Sequence, residues 1–284
     1  LHSFPTRRSS DLKQIEIVDA YKSLGISPDC TCTPYQIRPD SARKGDHLAW
    51  SESSAVSFAN SVIGAKTNRE GGPSALAAAL VGKTPRYGYH LDENRVPTIK
   101  ISVEADLEPS DFGLLGYITG REVGEGVPRF CLRRRPKVDE LKALGAAMAA
   151  SGSVALYYFD EDAPPLQKGA EEKSVTAEDL RAVREENAPD DEVDIVAVGC
   201  PHTSPKELEE IARLLDGKSV EREFWICTAR GIAERCPKLV EKIEGSGAKV
   251  FCDTCMVVSP ASDQYKKMMV NSGKALAYVP GLCK

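Results

Sequence analysis

The sequence predicts an α/β fold of parallel sheets flanked by helices, with a ligand crevice at the carboxyl ends of the strands. Three observations predict it. The apolar runs "VDIVAVG", "EFWICT" and "AKVFC" alternate with helical patterns such as "KELEEIARLLDG" and "LVEKIEGSG", the rhythm of a parallel sheet. "TIKISVEADL" places Ile99, Ile101, Val103 and Ala105 on one face, as a half-covered strand does. Cys200, Cys227 and the pair Cys252/Cys255 all fall at strand carboxyl ends, the edge at which such sheets bind ligands.

Each element can be justified in order. Residues 1–12, "LHSFPTRRSSDL", lack Met and show no useful periodicity. They resemble a translated sequencing-adapter tail and are set aside from the fold, which puts the natural start upstream of Lys13. Ile15, Val18, Ala20 and Tyr21 share a helical face that Gly25 ends. Pro28 and Pro34 keep "ISPDCTCTPY" extended. Ser51 is placed to cap a helix whose buried stripe is Ala55, Val56, Ala59, Val62 and Ile63. The glycine-rich loop "TNREGGP" precedes "PSALAAALVG", a helix with Pro73 in its first turn and a stop near Gly82. Helical patterns return at 110–120 and 138–151, ahead of a strand at 153–159. "DEDAPPLQKGAEEKS" is charged, proline-containing and poor in apolar residues, as a linker or surface loop is. The expected organisation is an α/β domain over 13–160, a linker over 161–174 and a second α/β domain over 175–284.

Composition narrows the function. With 284 residues, 42% of them hydrophobic, the chain can bury a sizeable core. A net charge of −5 gives no support to nucleic-acid binding, and "RRRPK" reads as a solvated loop. No stretch approaches 18 consecutive apolar residues, so no membrane span is expected. Nine cysteines without a secretory signal point to a reducing cytoplasm, where grouped cysteines serve metals or catalysis.

The cysteine spacing disfavours two familiar sites. Cys30 and Cys32 are too close in sequence for a zinc knuckle, and Cys252/Cys255 precede "MVVSP" rather than open a helix as a redox pair does. Cys131, Cys227, Cys236 and Cys283 read as small packed hydrophobes. That leaves Cys32, Cys200 and one of Cys252/Cys255, with Cys30 an alternative to Cys32. Three thiolates from separate loops can hold an iron–sulfur cluster and leave one iron open as a Lewis acid. Thr67, Asn68 and Arg69 ahead of the Pro73 helix read locally as a capped turn whose Arg pairs with Glu70 or a neighbour. They become anion-binding candidates, with Glu52, Ser53 and Ser54 for substrate contacts, under the resemblance given below. His202 lies two residues after Cys200. A lone histidine near a strand end is usually structural, but beside a cluster it can hydrogen-bond a cluster sulfur or the leaving hydroxide, which makes it the candidate catalytic side chain. Lys274 in "NSGK" is a candidate phosphate contact, although the P-loop pattern is absent.

Several long blocks closely resemble the large subunit of aconitase X, a branch of the aconitase superfamily of hydro-lyases. They include "CTCTPY" (30–35), "GDHLAWSESSAVSFANSVIGAKTNREGGPS" (45–74), "GKTPRYGYHLDENR" (82–95), "LGAAMAASGSVAL" (144–156), "GCPHTS" (199–204), "DTCMVVSP" (253–260) and "NSGKA" (271–275). The resemblance runs from about Lys13 to the end, with the family's N-terminal portion missing and the C-terminal end clipped. It implies an aconitase-like fold and a cluster on Cys32, Cys200 and Cys255, most simply 4Fe–4S with 2Fe–2S as the alternative. It also implies a heterodimer with a small swivelling subunit that carries the general base. The substrate implied is a small hydroxy acid. "TNREGGPSALAAALVGKTP" is closer to the archaeal branch, which dehydrates mevalonate 5-phosphate to trans-anhydromevalonate 5-phosphate in isoprenoid synthesis. The other branch dehydrates cis-3-hydroxy-L-proline, and a non-catalytic iron-responsive binding protein is a third reading.

Overall fold

Alternation along "IKISV" becomes strand β1 (Ile99–Val103), whose odd residues are buried and even ones half-buried. The computed structural model describes residues 8–188 and 192–282. After β1 come β2 (Pro128–Cys131), β3 (Tyr158–Phe159) and β4 (Glu171–Val175), forming a parallel sheet in the order β3-β2-β1-β4. Helices Asp111–Val123 and Val138–Gly152 lie against each other within this unit. They approach so closely that a Cβ on Gly116 would stand 2.4 Å from the Leu144 carbonyl oxygen. Phe112, Leu115, Phe130, Leu144, Met148 and Tyr157 fill the core between helices and sheet.

A second parallel sheet contains β5 (Ile195–Thr203), β6 (Glu223–Thr228), β7 (Lys249–Cys252) and β8 (Met268–Val270), in the order β7-β6-β5-β8. Its helices start where the sequence carries caps. Ser204 accepts from the Glu207 N–H and Glu207 from the Ser204 N–H, with Pro205 in the first turn of Pro205–Leu214. Leu208, Ile226, Ile243 and Val250 pack between this helix, helix Pro237–Gly245 and the sheet.

The chain divides into two compact units. One comprises Leu1–Ile37, Pro189–Asn271 and Tyr278–Lys284; the other comprises Arg38–Ala188 and Ser272–Ala277. This departs from the division expected around 161–174. Residues 171–174 belong to β4, which pairs with β1 along its whole length. Helix Ala177–Glu186 stays in the same unit, with Arg184 Nη2 2.6 Å from Asp111 Oδ1. The division therefore falls after Ala188 rather than at 175.

Local boundaries also shift. Helix Arg8–Ser23 starts inside the stretch set aside as adapter-like, whose residues 1–7 lie outside the described residues, as does Cys283. Pro34, expected to keep its segment extended, opens the short helix Pro34–Ile37. The strand expected at 153–159 narrows to Tyr158–Phe159. Among the described residues no helix is long and apolar enough to cross a membrane.

Candidate functional site

In the unit built on the second sheet, the site begins with a bulge. Val198 pairs with Ile226 and Thr203 with Thr228, so Gly199, Cys200, Pro201 and His202 together face only Cys227. The sequence permits this locally. Gly199 adopts φ 98°, and a Cβ there would stand 2.1 Å from the Cys227 carbonyl oxygen. Pro201 has no N–H to contribute to the ladder, and the Cys200–Pro201 peptide is cis. Beyond the bulge the ladder is fastened again. Thr203 Oγ1 donates to the Cys227 carbonyl (3.1 Å), and Thr228 Oγ1 donates to the Thr203 carbonyl (2.8 Å).

The bulge meets two other cysteine-bearing segments through His202, which is only 3% exposed. Its backbone N–H donates to Cys32 Sγ at 3.1 Å. Its Nδ1 lies 2.9 Å from Thr31 Oγ1, and its Nε2 donates to the Thr254 carbonyl at 3.0 Å. Thr31 Oγ1 in turn accepts from the Thr33 N–H at 3.1 Å. Burial holds the Cys227 thiol well above its usual range, and Cys255, Cys200 and Cys32 push it the same way. All three candidate ligands thus lie within electrostatic reach of this buried sulfur.

Among the described residues no three or more His, Cys, Asp or Glu side chains stand where they would hold a single metal ion. An iron–sulfur cluster is a wider object, because each thiolate takes a different iron. Three soft donors on separate segments that meet at His202, one of them accepting a backbone N–H, fit that group.

The rival thiols sit differently. Cys30 is exposed, and burial of its sulfur, then Asp253 and Asp29, push it above its usual value. Cys252 packs in the apolar cluster with Val198, Leu208, Ile226 and Val250, and burial pushes its thiol up to about 11. For Cys131 the hydrogen bond to Asp160, then burial, raise the thiol.

The other unit carries a separate polar group. Helix Ser53–Phe58 is capped by Glu52, not by the expected Ser51: Glu52 Oε2 accepts from the Ala55 N–H at 2.8 Å and from Ser54 Oγ at 2.5 Å. Its other oxygen pairs with the Lys274 ammonium, which also donates to Ser54 Oγ at 3.1 Å. Burial opposes ionisation of Glu52, but the Lys274 charge and these hydrogen bonds prevail and hold its carboxyl below the usual range. Ser53 and Lys274 are both buried.

The loop residues divide. Thr67 Oγ1 accepts from the Trp50 N–H (3.2 Å) and donates to the Asn68 carbonyl (2.8 Å). Asn68 donates to the Tyr87 carbonyl (3.1 Å) and accepts from the Tyr89 N–H (2.8 Å). Their side chains, expected on substrate, are engaged in shaping the loop. Arg69 is exposed, and among the described residues it forms no ion pair. His202, expected to be catalytic, has both ring nitrogens engaged within the protein.

Three organising residues escaped the sequence reading. Asn60 bonds the Thr67 backbone on both sides, accepting its N–H at 3.0 Å and donating to its carbonyl at 2.8 Å. Buried Arg95 donates to Asn60, to the Ala65 carbonyl and to the Tyr89 carbonyl. Thr31 sits between two cysteines, a position whose only sequence signal is its neighbours.

Family models cover nearly the whole chain in three consecutive segments: the aconitase X first domain over residues 3–93, the second over 97–185 and the third over 193–284. The phosphomevalonate dehydratase large subunit of Methanosarcina mazei is 56% identical, over 95% of this chain and 69% of the relative. That of Methanothermobacter thermautotrophicus is 49% identical, over 95% of this chain and 70% of the relative. The cis-3-hydroxy-L-proline dehydratase of Pseudomonas aeruginosa is 34% identical, over 93% of this chain and 49% of the relative. The holo-form crystal structure of Thermococcus kodakaraensis aconitase X superposes with a TM-score of 0.87 at 44% identity, covering 95% of this chain and 72% of that one. The chain belongs to the aconitase X family.

Proposed function

We propose that the chain is the large subunit of a phosphomevalonate dehydratase, a cytoplasmic hydro-lyase that converts (R)-5-phosphomevalonate to trans-anhydromevalonate 5-phosphate. The observation that carries the hydro-lyase reading is that the bulge bearing Cys200 is hydrogen-bonded through His202 both to Cys32 Sγ and to the Thr254 carbonyl beside Cys255. Greater identity to relatives named for phosphomevalonate than to those named for hydroxyproline supports the substrate.

The three thiolates would hold a 4Fe–4S cluster, which when bound supplies a Lewis-acidic iron that helps hydroxide depart. Loss of water from a β-hydroxy acid further needs its carboxylate held and an α-proton removed. Lys274 offers an ammonium already oriented by Glu52 and Ser54, and a substrate carboxylate would compete with Glu52 for it. Arg69, exposed on a loop braced by Thr67 and Asn68, offers a planar fork for a second anionic group such as a phosphate. No side chain of this chain is assigned the base. We place it on a small subunit, in keeping with relatives named as large subunits.

The test is anaerobic assembly with the small subunit, then assay with each of the two substrates. Dehydration of 5-phosphomevalonate is expected, with Cys32→Ala, Cys200→Ala and Cys255→Ala each abolishing the visible iron–sulfur absorbance. Consumption of cis-3-hydroxy-L-proline alone would move the chain to the other branch. Cluster-dependent partner binding without dehydration would make it a binding protein. Unchanged iron in Cys200→Ala and Cys255→Ala would end the cluster assignment.

A further inference from the structure

We propose that His202 is a positioning residue that fastens the three cysteine-bearing segments to one another, with no part in chemistry on the substrate. The inference rests on the reading that Cys32, Cys200 and Cys255 hold the cluster.

Those ligands are far apart in sequence, and the sheet ladder, which holds the β5 bulge and ends at Cys252, reaches neither Cys32 nor Cys255. His202 touches every segment. It shares the β5 bulge with Cys200, its N–H meets Cys32 Sγ, its Nδ1 meets Thr31 and its Nε2 meets the carbonyl preceding Cys255. An imidazole is a rigid plate, so bonds at opposite ring nitrogens fix Thr31 and Thr254 at a set separation. No flexible side chain of similar length would hold that span with so little entropy loss.

The same bonds remove His202 from substrate chemistry. A carbonyl oxygen only accepts, so Nε2 carries a proton committed to Thr254. Nδ1 is bonded to Thr31, whose hydroxyl is itself tied to the Thr33 N–H and lies 3.1 Å from Thr33 Oγ1. A general base must offer a lone pair within reach of the proton it takes, and this ring is 3% exposed with both nitrogens occupied.

The experiment uses the assembled two-subunit enzyme, loaded anaerobically. Iron and sulfide per chain, the rate of absorbance loss to an iron chelator and turnover per bound iron are measured together. Supporting groups behind metal ligands are worth about 10- to 100-fold in metal retention, so His202→Ala should lose its cluster about tenfold faster or more. Its activity should fall with its iron, leaving turnover per iron within about twofold of the parent. His202→Gln keeps an N–H able to reach the Thr254 carbonyl and should fall between the two. Thr31→Val should accelerate loss and Thr31→Ser should not, a pair that tests the clasp even where His202→Ala fails to fold. A His202→Ala enzyme that holds its iron at the parent rate overturns the proposal. So does one whose turnover per iron drops a hundredfold, which would put the ring on substrate. If the parent itself binds no iron, or Cys200→Ala keeps its iron, the cluster reading fails first, whatever the histidine variants do.

Discussion

Replacing Lys274 by Met isolates the energetics of the polar group at the Ser53–Phe58 helix. Lys274 is 5% exposed, and its ammonium is shared between Glu52 and Ser54. Breaking a buried pair by removing one partner costs about 3–5 kcal/mol. Here Glu52 retains the Ser54 hydroxyl and the Ala55 N–H, and its side chain stays 32% exposed. The cost should therefore be smaller, about 2–3 kcal/mol. Glu52→Gln alone strands the buried ammonium and should cost at least as much as Lys274→Met, whereas the double variant should lose only about 1 kcal/mol, so the two losses are strongly non-additive. The sign with pH follows from the same contacts. In the parent the folded Glu52 carboxyl sits below its ordinary value, so its stabilisation is present above that ordinary value and fades only as pH falls through the lower one. Without Lys274 burial is opposed only by the Ser54 and Ala55 hydrogen bonds, so the carboxyl of Lys274→Met lies above the parent's and the variant loses less stability than the parent as pH falls. Denaturant unfolding of all four chains between pH 5 and 8 should show the parent's advantage over Lys274→Met largest at pH 8. Additive losses that do not change with pH would refute the coupling.

Two further outcomes can be measured. Gly199→Ala places a methyl against the Cys227 backbone in a left-handed conformation. It should destabilise by more than about 2 kcal/mol and lower iron per chain; a wild-type melting curve with full iron would contradict that account of the bulge. Arg69→Ala should raise KM at least tenfold while leaving the melting temperature unchanged, whereas Asn68→Ala should cost about 1–3 kcal/mol by stranding the Tyr87 carbonyl and Tyr89 N–H. Equal effects of both variants on stability would show that the loop is not divided in this way.

The parallel sheets were legible because their central strands carry an unbroken apolar signal, as in Ile195–Val198 and Trp225–Cys227. β4 was not. "EEKSV" lies at a sheet edge, where charged residues face water, and so reads as loop. The helix cap was misread for a similar reason. Ser51 and Glu52 are both plausible caps locally, and the cation that favours Glu52 lies 222 residues along the chain. Thr67 and Asn68 looked available because their partners, Trp50, Asn60, Tyr87 and Tyr89, come from separate segments. Spacing alone leaves Cys30 and Cys252 in contention, and it is the family resemblance that implies Cys32, Cys200 and Cys255. In the structure Cys252 packs among aliphatic side chains, and Cys32 receives the His202 amide.

The detour at 199–202 also constrains how the gene can vary. Four residues stand opposite one, so losing a codon would either pull Thr203 off its partner Thr228 or close the bulge that carries Cys200 and His202. The stretch is therefore closed to exchange as well as to change of length, because Gly199, Cys200 and His202 each carry a separate duty there.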